Sequence, residues 1–445
     1  MAIPPYQSFS SYAGNPYFID LDALAQEGLL LPQEYQNLNW GGADRVDYGL
    51  LYHTRYPVLR KACVRLLERR EPDFDRFCAE QAQWLEDYAL FMALKDRHAG
   101  ASWFTWPAPE RLREEDALRA ARQEMGEDIV FWKAVQYLFF CQWNQLKQYA
   151  NERGISIIGD LPIYVAGDSA DVWSAPDQFQ LDENGDPTEV AGCPPDGFSA
   201  DGQLWGNPLF DWEHMQQDGY SWWLRRIAFQ FTIYDTLRID HFRGFDAYYA
   251  IPYGDTTARN GRWRPGPGID FFRAVTAALG EKDIIAEDLG FLTDSVRQLL
   301  KDTDYPGMKV LEFAFDSRDA GNDYLPHCYT PHCIVYVGTH DNDTIQGWIA
   351  TAPADDVAYA KEYLRLTEEE GYHWGMMRAA WASVADLAVM QMQDLLGLGS
   401  EARINVPSTV GSNWVWRCPE GGFGPELARR LYHEMQVYQR LPRTF

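Results

Sequence analysis

Short apolar runs that recur between helical stretches, with acids at the ends of several, limit the folds open to this chain more than any other feature. The runs lie near residues 155–160, 235–240, 283–287, 308–315, 333–339 and 386–392. Between most of them apolar residues return at the helical period, and Gly154 closes the helical stretch that precedes the first run. Helix, glycine, apolar run, acid is the cadence of a repeating βα unit. The pattern predicts an α/β fold of the (β/α)8 TIM-barrel type with large insertions. Six barrel strands are visible in the sequence, where a closed barrel has eight.

No Ser-rich linker, internal repeat or low-complexity segment interrupts the chain, so residues 1–445 read as one catalytic barrel domain. Residues 1–42 are turn-rich, with a short helix expected around Leu21–Gly28. Residues 43–150 read as a helical insertion, in which Phe131, Val135, Leu138 and Phe139 follow a 3.6-residue period. Residues 162–223 form a second insertion, rich in Gly, Pro, Asp and Trp. A loop that long inside a compact domain usually carries function.

Three runs stop at a carboxylate: Leu237-Arg-Ile-Asp240, Ile284-Ile-Ala-Glu287 and Tyr336-Val-Gly-Thr-His-Asp341. A parallel barrel carries its chemistry at such carboxyl-terminal strand ends. Two facing carboxylates with a third acid nearby suit glycosidic bond chemistry. Strand alternation puts Arg238 and Asp240 on one side. The guanidinium should then lower the Asp240 pKa and keep it an anionic nucleophile. A buried ion pair of no catalytic consequence is the plainer reading of Arg-x-Asp taken alone. Glu287 leaves an apolar strand end, where partial desolvation raises a Glu pKa and suits it to donate a proton. The alternative makes Asp288-Leu-Gly290 a helix-capping turn with Glu287 a passenger. His340, Asp341, Asn342 and Asp343 form a polar cluster that is costly to bury without partners. An N-cap accounts for one of its acids, Asp343, and not for the rest.

Two motifs are set aside. Asp182-Glu-Asn-Gly-Asp186 lacks the spaced ligands and closing Glu of a calcium loop and reads as a hairpin turn. His327-Cys-x-x-x-His-Cys333 has zinc-like residue types, but adjacent His-Cys pairs do not both aim inward comfortably.

With 39 basic and 65 acidic residues, the formal charge of −26 disfavours nucleic acid and anionic membrane surfaces. Aromatic residues make up 15% of the chain, many beside Gly, Pro and Asn as in Leu204-Trp-Gly-Asn-Pro208. Flat rings with polar edges in loops suit a sugar-stacking cleft. Seven cysteines in no disulfide-like framework, with no signal-like start and no run of membrane length, predict a cytoplasmic protein.

Taken together, these segments resemble glycoside hydrolase family 77, the 4-α-glucanotransferases, over nearly the whole chain. The resemblance runs through Pro5-Tyr-Gln-Ser-Phe-Ser10, Ala13-Gly-Asn-Pro-Tyr17, Arg45-Val-Asp-Tyr-Gly-Leu-Leu-Tyr52, Trp84-Leu-Glu-Asp-Tyr-Ala-Leu-Phe-Met-Ala-Leu94 and Gly159-Asp-Leu-Pro-Ile-Tyr-Val165. It continues through Trp205-Gly-Asn-Pro208, the three carboxylate motifs, Gly307-Met-Lys-Val310 and Gly399-Ser-Glu-Ala-Arg403. It implies transfer of α-1,4-glucan segments from a maltooligosaccharide donor to glucose or another glucan, with no metal or organic cofactor. Asp240 would be the nucleophile and Glu287 the acid and base. Asp341 would bind sugar hydroxyls, with His340 and Arg238 assisting. Retention of configuration would need the two carboxyls about 5–5.5 Å apart.

The resemblance also implies that Tyr6 lines the donor side and that Trp205 sits in a loop folded over the cleft, excluding water. Phe198 would lie in the same loop, where Gly197 departs from an aromatic pair common in the family. Tyr52 would contribute to a second glucan surface, and Asp160 would support the catalytic residues. One departure is larger: only Met1-Ala-Ile-Pro precede Pro5-Tyr6, where the family begins with strand, helix and strand. That departure points to a misassigned start or a fragment, and accounts for the count of six. Hydrolysis of α-glucans, or a non-catalytic glucan-binding remnant, are the competing expectations.

Overall fold

Ile, Leu and Val crowd the apolar runs, and such residues suit strands covered on both faces. The computed structural model describes residues 7–195, 200–290, 292–317, 322–407, 409 and 411–441. Tyr6 and Phe198 lie outside the described residues. The strands are β1 (Ile158–Leu161), β2 (Glu189–Cys193), β3 (Gln203–Pro208), β4 (Thr236–Ile239), β5 (Ala247–Pro252), β6 (Arg262–Pro265), β7 (Ile284–Ala286), β8 (Gly307–Val310), β9 (Cys333–Tyr336) and β10 (Leu387–Val389).

Each predicted run supplies one parallel strand. β1, β4 and β7 pair in that order in one sheet, and β8, β9 and β10 pair in that order in a second. The two sheets meet at β7 and β8. There the Ala286 N–H donates to Pro306 O at 3.0 Å, and the Asp288 carboxylate accepts the Met308 N–H at 2.6 Å. A side chain thus stands in for a ladder partner along that seam. Asp288 faces the seam while Glu287 faces away from it, as strand alternation requires.

Two runs are shorter than expected, for local reasons. The run at 308–315 leaves the strand after Val310, because Leu311, Ala314 and Phe315 all turn into one core and the backbone winds into a 3₁₀ turn to bury them. Ile155 stays outside β1 and is exposed, while the Asp235 carboxylate takes the Ile157 N–H at 2.8 Å.

Long helices over Tyr48–Arg69, Ala82–Arg97 and Gly126–Asn151 fill the first insertion. Their apolar faces (Leu59, Leu85, Val135) join Leu161, Leu237 and Ile239 of the strands in one core, so the insertion shares its hydrophobic interior with the first sheet. Among the described residues no helix is long and apolar enough to cross a membrane.

The second insertion is more ordered than a loop-rich reading implies. Its β2 and β3 join β5 and β6 in an antiparallel sheet of order β3-β2-β5-β6. β2 is buried over most of its length, so it lacks the period-two pattern that would have marked it. The Asp182–Asp186 segment is the expected turn: the Asp182 carboxylate accepts the N–H groups of Asn184 (2.8 Å) and Asp186 (3.0 Å).

The seam generates a test. Asp288→Ala should lower unfolding stability by about 1–3 kcal/mol, the cost of stranding a buried N–H, in urea titrations. Asp288→Asn, whose amide oxygen still accepts, should recover most of that loss. Equal destabilisation by both variants would contradict the role of the seam bond.

Candidate active site

One guanidinium gathers the acids. Alternation along β4 sends Leu237 and Ile239 into the core and turns Arg238 and the following Asp240 to the opposite side. Arg238 is itself buried. Its Nη1 lies 2.6 Å from Asp160 Oδ1, in β1, and 3.1 Å from Asp240 Oδ1. Its Nη2 lies 3.9 Å from Glu287 Oε2, at the end of β7, and its Nε contacts Met308 Sδ at 3.3 Å. Residues from the ends of neighbouring parallel strands therefore converge on a single cation.

The backbone after β4 adds a second anchor. His241 adopts a left-handed conformation (φ 50°), uncommon for a residue with a side chain. Its N–H donates to Glu287 Oε2 at 2.6 Å, and the Phe242 N–H donates to Glu287 O at 3.1 Å. The His241 ring meets the edge of Trp205, carried by β3, at a centroid distance of 4.9 Å. Burial, with Arg243 nearby, pushes the His241 pKa down to about 4, so the ring is neutral around neutrality.

Asp341 sits on a turn after β9. The Thr339 N–H and hydroxyl both donate to Asn342 Oδ1 at 2.9 Å, closing the turn on itself. Two residues from a later loop then fix Asp341: Asn405 Nδ2 donates to its Oδ1 at 2.5 Å, and Arg403 Nη2 to its backbone O at 2.6 Å. His340 Nε2 lies 3.6 Å from Asp341 Oδ1, and its ring packs against Trp414 at 5.3 Å. Burial lowers the His340 pKa more than the neighbouring acids raise it.

The electrostatics correct one expectation. Arg238 does act to lower the Asp240 pKa, but burial and then the Glu287 charge outweigh it, and the net direction is strongly upward. Burial also raises the Glu287 pKa, against the opposing pull of Arg238 and of the His241 N–H. Asp240 keeps 30% of its side chain exposed and Glu287 15%, so solvent tempers both shifts without removing them. Two such carboxyls beside one guanidinium do not both ionise cheaply, and they titrate as a coupled pair. A pair that shares a proton is what an acid and a nucleophile in one site require.

Asp160, Arg238, Asp240, Glu287 and Trp205 are thus brought together, with His340 and Asp341 on the adjoining turn. Tyr52 lies elsewhere, half-exposed on the helix Tyr48–Arg69 against His53 and Tyr56. One turn before it, the Tyr48 hydroxyl donates to Trp414 O at 2.6 Å, which links that helix to the residue packed on His340. The expected N-cap at Asp343 is instead Thr344, whose side chain accepts the Gly347 N–H, because Asp343 is taken by Ser400 Oγ at 2.7 Å. Asn405 and Trp414 were not singled out in the sequence. They lie more than sixty residues beyond β9, in irregular backbone whose only signal was the neighbouring Gly399–Arg403 segment.

Parallel strands whose ends carry two coupled acids on a shared arginine, with a third acid alongside, are the arrangement of a barrel-type glycoside-bond enzyme. The family model described as 4-alpha-glucanotransferase (glycoside hydrolase family 77) matches residues 1–421, and the chain belongs to that family. It is 48% identical to a 4-alpha-glucanotransferase of Clostridium butyricum, over 98% of this chain and 90% of the relative. It is 47% identical to one of Thermus thermophilus, over 98% and 89%. Among solved structures, an amylomaltase from Streptococcus agalactiae in complex with acarbose superimposes with a TM-score of 0.95 at 40% identity, covering 98% of this chain and 88% of that one.

The coupling is open to direct measurement. In carboxyl 13C NMR titrations the Asp240 midpoint should lie above the ordinary aspartate range, because burial and Glu287 raise it. It should fall in Glu287→Gln, which removes the like charge. An Asp240 midpoint unmoved by that substitution would contradict the coupled pair.

Proposed function

We propose that Asp240, Glu287 and Asp341 carry the family's glucanotransferase reaction in this chain, by a retaining double displacement on α-1,4-glucans. The convergence of Asp160, Asp240 and Glu287 on Arg238 is the observation that supports it most. In the first step an Asp240 oxygen bonds to the anomeric carbon while the glycosidic C–O bond breaks. The Glu287 proton passes to the departing oxygen, and the reducing-end glucan leaves. In the second step the 4-hydroxyl of an acceptor glucan or glucose attacks that carbon, its proton returns to Glu287, and Asp240 is released as the anion. Arg238 favours the anionic Asp240 that attacks, and the carboxylates beside the ring favour its gain of positive charge. Asp341, held by Asn405 and Arg403, is oriented to bind sugar hydroxyls as the ring gains positive charge.

Transfer, rather than hydrolysis, needs water kept from the glycosyl-enzyme. Trp205 edge-on to His241, beside Asp240, fits such a cover. The long insertion and the helices 43–150 are read as additions to one catalytic barrel, and Tyr52 as part of a second glucan-binding surface. All seven cysteines are free, which favours a reducing compartment, the cytoplasm. The charge of −26 argues against nucleic acid as a partner.

Incubation with maltotriose, followed by chromatography, tests the reading. The expected products are glucose and a ladder of longer oligosaccharides; glucose and maltose alone would favour hydrolysis. Glu287→Gln should lower kcat on maltotriose by about 10²–10⁴-fold, the usual worth of a general acid, and leave substrate binding largely intact. Parent-like turnover in that variant would remove Glu287 from its role.

A further inference from the structure

Beneath the His340–Asp341 turn lies a set of buried polar side chains that the reaction above does not use. Glu312 follows β8 and is 6% exposed. Its backbone N–H donates to Val337 O at 3.1 Å, which fixes it under the strand end leading into the turn. The Asn342 side chain stands beside its carboxyl group, both packed over Gly338. Through Oδ1 the same Asn342 accepts the Thr339 N–H and hydroxyl, both at 2.9 Å. Asn342 therefore spans from Glu312 to the start of the turn whose middle is His340 and Asp341.

The approach is close because residue 338 is glycine. A β-carbon there would stand 3.2 Å from Glu312 Oε1 and 3.1 Å from both Asn342 Cβ and Gln391 Nε2. Glu312 Oε1 and Gln391 Nε2 are buried without hydrogen-bond partners among the described residues. The charged groups facing Glu312 are Asp394 and Asp343, with Arg403 as the cation. Asp394 is 1% exposed and accepts the Ile345 N–H at 2.7 Å, while Arg403 is committed to the backbone oxygens of Asp341 and Asn405. Ionising Glu312 would add another anion to a buried group already richer in carboxyls than in cations, which is costly. Burial first, and then those two acids, push its pKa far up.

We propose that Glu312 is a positioning residue for the sugar-contacting turn, acting through Asn342 to hold Thr339–Asp341 in the shape that presents Asp341 to a glucosyl unit. This rests on the reading of Asp341 as a sugar ligand. A neutral carboxyl has the same shape and hydrogen-bonding reach as a carboxamide, so glutamine is the conservative replacement, and alanine removes the support.

The test is a double-mutant cycle on the full chain with maltotriose as substrate. It compares Glu312→Gln, Glu312→Ala, Asp341→Ala and the double variant Glu312→Ala/Asp341→Ala. Active-site titration normalises kcat, so that misfolded protein does not enter the comparison. Glu312→Ala should lower kcat by about 10²-fold with a smaller change in KM, as a group misplaced by an ångström does. Glu312→Gln should restore kcat to within about threefold of the parent, since a volume-conserving swap leaves the support in place. The double variant should be no slower than Asp341→Ala, because Glu312 acts through that residue.

A Glu312→Gln as impaired as Glu312→Ala would overturn the neutral-carboxyl role, and losses that multiply in the double variant would overturn action through Asp341. Parent-like turnover of Asp341→Ala is a different failure: it would remove the sugar-ligand reading itself and, with it, any role for Glu312 through that residue.

Discussion

Arg238 is the interaction on which the rest of the site depends. Four carboxylates, Asp160, Asp240, Glu287 and Asp341, could have been solvated separately at the ends of separate strands. Instead three of them are drawn to one buried guanidinium. Burial of that cation is tolerable only because the anions surround it, and burial of the anions only because it is there. The parallel register makes the arrangement possible: Asp160 of β1 is level with Arg238 of β4, which is level with Ile285 of β7. A one-residue slip in either pairing would turn Arg238 to the core face and disperse the acids.

Around that centre the protein balances opposing demands on two similar groups. On the proposed mechanism Asp240 has to be an anion when it attacks and Glu287 an acid when the leaving group departs. Burial raises both pKa values; the direct Arg238 bond favours the anion at Asp240, while the His241 N–H limits how far Glu287 rises. The strained backbone at His241 belongs to the same device, since it aims that N–H while the ring is held under Trp205. The Asp341 turn follows another principle. It is shaped by hydrogen bonds from Thr339 to Asn342 and from Asn405 and Arg403 to Asp341.

Much of this was legible in the sequence wherever a short apolar run ended at an acid. Asp240, Glu287 and Asp341 were marked in that way, and Asp160 and Arg238 by their strand positions. What escaped was set by contacts distant along the chain. Asn405 and Trp414 reach the site from irregular backbone, which has no periodicity to read. β2 is buried along most of its length and so shows no alternation. Asp343 looked like a cap, but a serine more than fifty residues away captures it and leaves the cap to Thr344. The direction of the Asp240 pKa was misjudged for a similar reason. Its neighbour Arg238 is visible two residues away, whereas the burial and the Glu287 charge that outweigh it exist only in the folded chain.

The central claim is that Asp240 bonds to the sugar while Glu287 manages the proton. The most direct test is mass spectrometry of the Glu287→Gln variant after reaction with an α-maltosyl fluoride, whose leaving group needs no protonation. The account predicts a glycosyl adduct confined to the peptide that contains Asp240. An adduct on Asp160 or Asp341 instead, or turnover of the fluoride to a product of inverted configuration, would contradict it.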